Sequence, residues 1–120
     1  RKVFRCTSDA GVSEANNLLL STTNTDFTTS RCSYGYDDNH TATNDPGVAI
    51  AADALGTGTT LSDNHGQKGQ NVLYIDGHVE WKGTETCGYY NGSSYDKIYY
   101  NLSTTTRSSS TVGTDTSIMQ

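Results

Sequence analysis

The sequence predicts a small, mainly β domain built on an antiparallel sheet, and three observations carry that reading. Asp76-Gly77 stands between Val-Leu-Tyr-Ile and His-Val-Glu-Trp, and Asp-Gly between two β-prone runs is a strong hairpin signal. Cys32, Tyr34 and Tyr36 alternate with Arg31, Ser33 and Gly35, the period of two of a half-buried strand. Leu, Ile, Val and Phe number only 19 of 120 residues against 32 Ser and Thr, so the core is thin and must draw on the eight Tyr and one Trp.

Taken in order, residues 3–6 read as a first strand closed by Thr7, Ser8, Asp9 and Gly11. Residues 13–20 allow two helical turns capped by Ser13, although Asn16 and Asn17 are poor helix formers. Residues 27–36 form the alternating strand, and 37–44 are loop. Pro46 and Gly47 introduce the apolar run 48–52, which suits a strand covered on both faces. In the hairpin, a two-residue turn at Asp76-Gly77 sets Tyr74 opposite Val79 and Val72 opposite Trp81, which places these four side chains on one face, against the core. Residues 84–96 read as a Gly/Ser/Tyr loop, and 97–102 as a last strand with Ile98 and Tyr100 on one side. From Ser103 to Ser117, 11 of fifteen residues are Ser or Thr, too few apolar groups to offset the entropy of ordering. The chain thus divides into a globular domain over 1–102 and, over 103–120, an extended arm or a disordered tail.

Composition also excludes function classes. Eight Lys and Arg against 13 Asp and Glu cannot neutralise a phosphate backbone, so nucleic acid is not an expected partner. The longest apolar run is far shorter than the roughly 18 residues that cross a bilayer. A start at Arg1, without Met or a signal-type apolar segment, suggests a product of a longer precursor. Three cysteines in a Ser/Thr/Asn-rich chain fit an exported protein, with Cys6 bridged to Cys32 across adjacent strands and Cys87 left over. Cys-x-x-Cys spacing is missing, which argues against a metal–thiolate site. Asn39, Asn91 and Asn101 each open an Asn-x-Ser/Thr triplet and are candidate glycosylation sites, with the Ser/Thr arm a candidate for O-linked sugars.

No Gly-x-Ser-x-Gly elbow is present and the three histidines fall in or beside polar loops, so no catalytic residue is assigned and an enzyme is not expected. Asp63, His65, Asp76 and His78, with Asp53 if residues 48–52 run alongside the hairpin, form the best polar constellation; carboxylates and imidazoles together suit a divalent cation, and Asp37, Asp38 or Asp45 offer a weaker site for calcium. The competing reading is that these groups merely cap backbone atoms at turns.

Several segments bear a resemblance to a known family. Phe4-Arg5-Cys6-Thr7-Ser8-Asp9, Cys32-Ser33-Tyr34-Gly35-Tyr36, and Asn64-His65-Gly66 followed by Gly69-Gln70-Asn71-Val72-Leu73-Tyr74-Ile75-Asp76-Gly77-His78-Val79-Glu80-Trp81 resemble the bacterial type IV pilin-like proteins with the prepilin-type, processing-associated domain. That domain carries a histidine followed nine residues later by Asp-Gly; here ten residues intervene, and Thr7 stands where proline is usual. The resemblance implies an extracellular, cell-surface, pilus- or pseudopilus-like subunit whose precursor has an N-terminal apolar helix, which would make the whole protein α+β. It implies no catalytic residue. Self-association would then run through exposed strand edges carrying Val3, Phe4, Ile98 and Tyr100. The alternative is a secreted carbohydrate-binding module using Tyr89, Tyr90, Tyr95, Tyr99 and Tyr100.

Overall fold

A computed structural model describes residues 2–15, 27–56, 60–101 and 114–119. Among the described residues the fold is mainly β, with six strands in two antiparallel sheets. Strands β1 (Tyr34–Tyr36), β2 (Ala49–Asp53), β3 (Gln70–Tyr74) and β4 (Val79–Lys82) lie side by side in sequence order, and β5 (Thr86–Tyr90) pairs with β6 (Tyr95–Lys97) as a separate hairpin. Among the described residues no helix is long and apolar enough to cross a membrane.

The anticipated apolar strand is β2, second in the sheet, with Ala49 and Ala52 buried and Ile50 and Ala51 half-buried. Small side chains leave room for larger groups to pack over them, and the core is Val72, Tyr74, Cys87, Ile98, Tyr99 and Ile118 around those alanines. Two tyrosines supply the bulk that a chain poor in aliphatics lacks, and each satisfies its buried hydroxyl on the backbone. Tyr74 donates to the Cys87 carbonyl at 2.7 Å and Tyr99 to the Asp53 carbonyl at 2.6 Å.

The hairpin forms, but one residue out of the anticipated register. Asn71 faces Trp81, Val72 faces Glu80 and Leu73 faces Val79. The loop has three residues, because Tyr74 N–H donates to the His78 carbonyl across Ile75, Asp76 and Gly77. Of these three only Gly77 adopts positive φ, at 90°, whereas a type I′ turn needs it at both central positions. A one-residue slip exchanges the faces of a strand. Val79 and Trp81 therefore point away from the core, and Trp81 is 47% exposed rather than buried beside Val72.

Other elements differ as well. Lys2–Phe4 is a 3-10 turn and not a strand; Thr29–Arg31 is another, so the alternating strand is confined to Tyr34–Tyr36. Residues 13–15 are not helical, and the remainder of the anticipated 13–20 helix lies outside the described residues. The supposed loop at 84–96 holds all but the last residue of the β5–β6 hairpin. Gly88 permits it, since a Cβ there would meet the Asp96 Cβ at 3.0 Å. Beyond Lys97 the anticipated last strand gives way to consecutive buried residues, Ile98 and Tyr99, with Tyr100 only partly buried.

The C-terminal arm is corrected most. Residues 103–113 lie outside the described set, but Asp115, Thr116, Ser117 and Ile118 are buried in the domain. Ser117 bridges to Tyr99 and Met119 to Tyr36, so this segment covers the β1 edge and ties the two sheets together. Ile118 N–H donates to the Ile98 carbonyl at 2.7 Å, and Tyr36 N–H to the Met119 carbonyl at 2.8 Å. Gly35 makes the approach possible: a Cβ there would sit 2.6 Å from Ile118 Cγ2 and 3.0 Å from the Met119 carbonyl oxygen.

Candidate functional site

Two features stand out, and they adjoin. The first is the outer face of the four-stranded sheet. Successive register pairs place Tyr36 opposite Ala51, Ala51 opposite Leu73 and Leu73 opposite Val79, an apolar row crossing every strand. Tyr36 is 57% and Val79 62% exposed. A groove of about 250 Å³ runs over this face between Tyr34, Ala51, Leu73 and Val79, with Asp53 and Asn71 at one end. Strand β4 pairs only with β3 among the described residues and ends the sheet, its edge guarded by Glu80 and Lys82, which form an ion pair at 2.8 Å.

The second feature is a polar cluster beside that end. Asp53 is 1% exposed, at the end of β2. Its Oδ2 accepts from Asn71 N–H at 2.7 Å and Asn71 Nδ2 at 3.1 Å, while Oδ1 accepts from Asn64 Nδ2 at 3.0 Å. Asn64 Nδ2 also donates to the Ser33 carbonyl at 2.6 Å, fastening the turn over the sheet. That turn is the 3-10 segment Asp63–His65, capped by Ser62 and ended by Gly66 at φ 64°. It holds His65 Nε2 at 3.1 Å from Asp53 Oδ2. Buried Cys6 brings its Sγ to 3.7 Å from the same nitrogen. Trp81 packs edge-on against the His65 ring at 5.0 Å between centroids, which joins the cluster to the outer face.

Of the anticipated polar constellation, the structure thus unites Asp53 and His65. Asp63 turns to Gln67, whose Nε2 donates to it at 2.9 Å. Asp76 stays at the hairpin turn with His78, whose backbone N–H and imidazole hold its carboxyl below the usual range. In their place comes Cys6, 59 residues from His65 in sequence, so that no local spacing reveals it. All three cysteines are thiols, and the anticipated Cys6–Cys32 bridge is not formed. Cys32 Sγ donates to the Tyr34 carbonyl at 3.3 Å, and burial pushes the Cys87 thiol up to about 11.

The candidate glycosylation sites divide. Asn39 and Asn91 are exposed, the latter accepting from Ser93 and Ser94 N–H groups, whereas Asn101 is 1% exposed and closed to a glycosylating enzyme in the folded chain. The anticipated assembly strands are not strands with open edges. Val3 is exposed and Phe4 half-buried on a 3-10 turn, while Ile98 is buried and already bonded to Glu85 and Ile118. Tyr90 and Tyr95 are exposed, their rings 4.9 Å apart, beside a groove lined also by Asp45, Tyr89 and His78.

Beneath the C-terminal segment lies a further charged group. Asp96 accepts from Thr116 N–H at 2.7 Å, and burial, followed by the nearby charges of Asp115 and Asp37, pushes its carboxyl up to about 6. A carboxyl whose folded value exceeds its ordinary 3.8 stabilises the fold while protonated. The contribution is complete below pH 3.8, falls away as pH rises through about 6, and is constant above. We expect a loss on the order of 1–2 kcal/mol after allowance for solvent screening. Urea midpoints measured at pH 4.5 and pH 7 should converge in Asp96→Asn; an unchanged difference would contradict this assignment.

The chain matches no family model, and comparison with curated proteins and with solved structures gave no match.

Proposed function

We propose that this chain is a structural, non-catalytic subunit of an extracellular filament at a bacterial cell surface, and that it meets a second copy of itself through the outer face of the four-stranded sheet. The observation that carries the reading is the apolar row Tyr36, Ala51, Leu73 and Val79 with Trp81 beside it, open to solvent where a monomer would gain from covering it. A second, different apolar patch supports a head-to-tail contact: Val3 is 75% exposed, near Phe4 and Phe27, whose rings meet edge-on at 4.9 Å. Contacts between two unlike patches propagate as a fibre when the rotation from copy to copy does not close into a ring. The resemblance of Asn64 to Trp81 to the pilin-like family points the same way. Val79→Lys, at an exposed position, should leave the fold intact and abolish polymers seen by negative-stain microscopy. Polymers of unchanged length would refute the contact face.

The carbohydrate-binding alternative draws on the exposed Tyr90 and Tyr95 beside their polar groove, a geometry able to stack on a sugar ring. Retardation of a monomer on a polysaccharide gel, lost in Tyr90→Ala, would favour it.

A further inference from the structure

We infer that Cys6, His65 and Asp53 form a binding site for a single borderline transition-metal ion, of which zinc is the best-suited example. One ligand atom from each residue lies within 4.8 Å of the other two. The two separations from the imidazole nitrogen come close to those of tetrahedral coordination. Ordinary zinc bond lengths separate sulfur from nitrogen by about 3.6 Å and nitrogen from oxygen by about 3.4 Å. Here the separations are 3.7 Å for Cys6 Sγ to His65 Nε2 and 3.1 Å for Nε2 to Asp53 Oδ2.

A nucleophilic triad would be built differently. In such a relay the imidazole presents one nitrogen to the thiol and the other to the carboxylate. In this cluster Sγ and Oδ2 both face Nε2, and Asn71 Nδ2 lies 3.4 Å from the same nitrogen. One nitrogen cannot serve both contacts well in a metal-free site. If it carries a proton for Asp53, the thiol loses its acceptor. If it is bare and accepts from Cys6, its lone pair confronts the carboxylate at 3.1 Å. An ion among the three atoms removes this conflict, because thiolate, imidazole and carboxylate then all direct lone pairs to one centre.

The donor set also chooses among cations. Calcium takes six to eight oxygen ligands, whereas sulfur with imidazole suits zinc and its neighbours. The surroundings are those of a metal site in a second respect: Asn71 donates to Asp53 Oδ2 and Asn64 to Oδ1, which fixes the orientation of the carboxylate. His65 retains 21% exposure of its side chain, which gives the ion a route in from solvent and leaves a fourth position for water. Bound there, the ion would pin the N-terminal segment, through Cys6, to the sheet and the 3-10 turn.

Cobalt titration of the full 120-residue chain tests the site. One equivalent of Co²⁺ should produce a near-ultraviolet thiolate-to-cobalt band with the visible absorption of a tetrahedral centre, and should quench Trp81, whose ring abuts His65. Zinc should displace the cobalt and raise the Tm. Cys6→Ser should remove the thiolate band, while Cys32→Ser and Cys87→Ser keep it. His65→Ala, altering a partly exposed side chain, should weaken binding at least tenfold and decides the matter should Cys6→Ser fail to fold. Absence of the thiolate band in the folded wild type, its survival in folded Cys6→Ser, undiminished affinity in His65→Ala, or a Tm rise with calcium but none with zinc would overturn the proposal.

Discussion

Truncation after Gly113 is expected to unfold the domain. The lost segment contributes Ile118 to the core, and burial of one such side chain is worth about 1.5–3 kcal/mol. It also supplies donors to buried carboxylates: Ser117 N–H to Asp37 at 2.7 Å and Thr116 N–H to Asp96 at 2.7 Å. Thr116 Oγ1 donates to the Ala49 carbonyl at 3.0 Å as well. Each buried acceptor left without its partner costs about 1–3 kcal/mol. Together these come to about 4.5–12 kcal/mol, comparable with the roughly 5–15 kcal/mol stability of whole domains. Near-ultraviolet circular dichroism should show no cooperative melting transition in the truncated chain. Ile118→Ala alone should cost about 2–5 kcal/mol and remain folded at low temperature. A truncated chain with an unaltered Tm would mean that the segment merely rests on the surface.

The second large effect belongs to Asp53. Asp53→Leu is expected to cost at least about 3 kcal/mol, because it strands the Asn71 N–H and the buried Asn64 amide without their acceptor. The Asp53→Asn variant keeps one good acceptor and should lose about half as much. Urea unfolding of the two variants checks the order. Equal, small losses from both would show that water reaches these donors and that the carboxylate does not hold the turn to the sheet.

The antiparallel class was legible in Asp76-Gly77, in the Tyr34 and Tyr36 alternation and in the apolar run that became Ala49–Asp53. The register was not, because Asp-Gly marks a turn without fixing the number of loop residues, and Ile75, an apolar residue, joins the loop. The β5–β6 hairpin hid in a Gly/Ser/Tyr stretch whose pairing depends on Asp96 packing over Gly88. The C-terminal segment was opaque for a similar reason. It is held by backbone donors to Asp37 and Asp96, and backbone hydrogen bonding leaves no mark in side-chain polarity. In the polar cluster, His65 was legible as a polar loop residue and Asp53 joined it only on the condition that residues 48–52 run beside the hairpin, a condition the β2–β3 pairing meets, whereas Cys6 arrives from a non-repetitive segment whose course only the fold determines.

Trp81 offers the most direct measurement of the proposed contact, since it is the one tryptophan in the chain and stands on the outer sheet face. Its emission and its quenching by acrylamide can be followed as protein concentration rises, with light scattering recording assembly in the same samples. If the outer sheet face is the contact, emission should shift to shorter wavelength and quenching should decline in step with scattering, and Val79→Lys should abolish all three changes. Polymers in which Trp81 stays as readily quenched as in the monomer would contradict it.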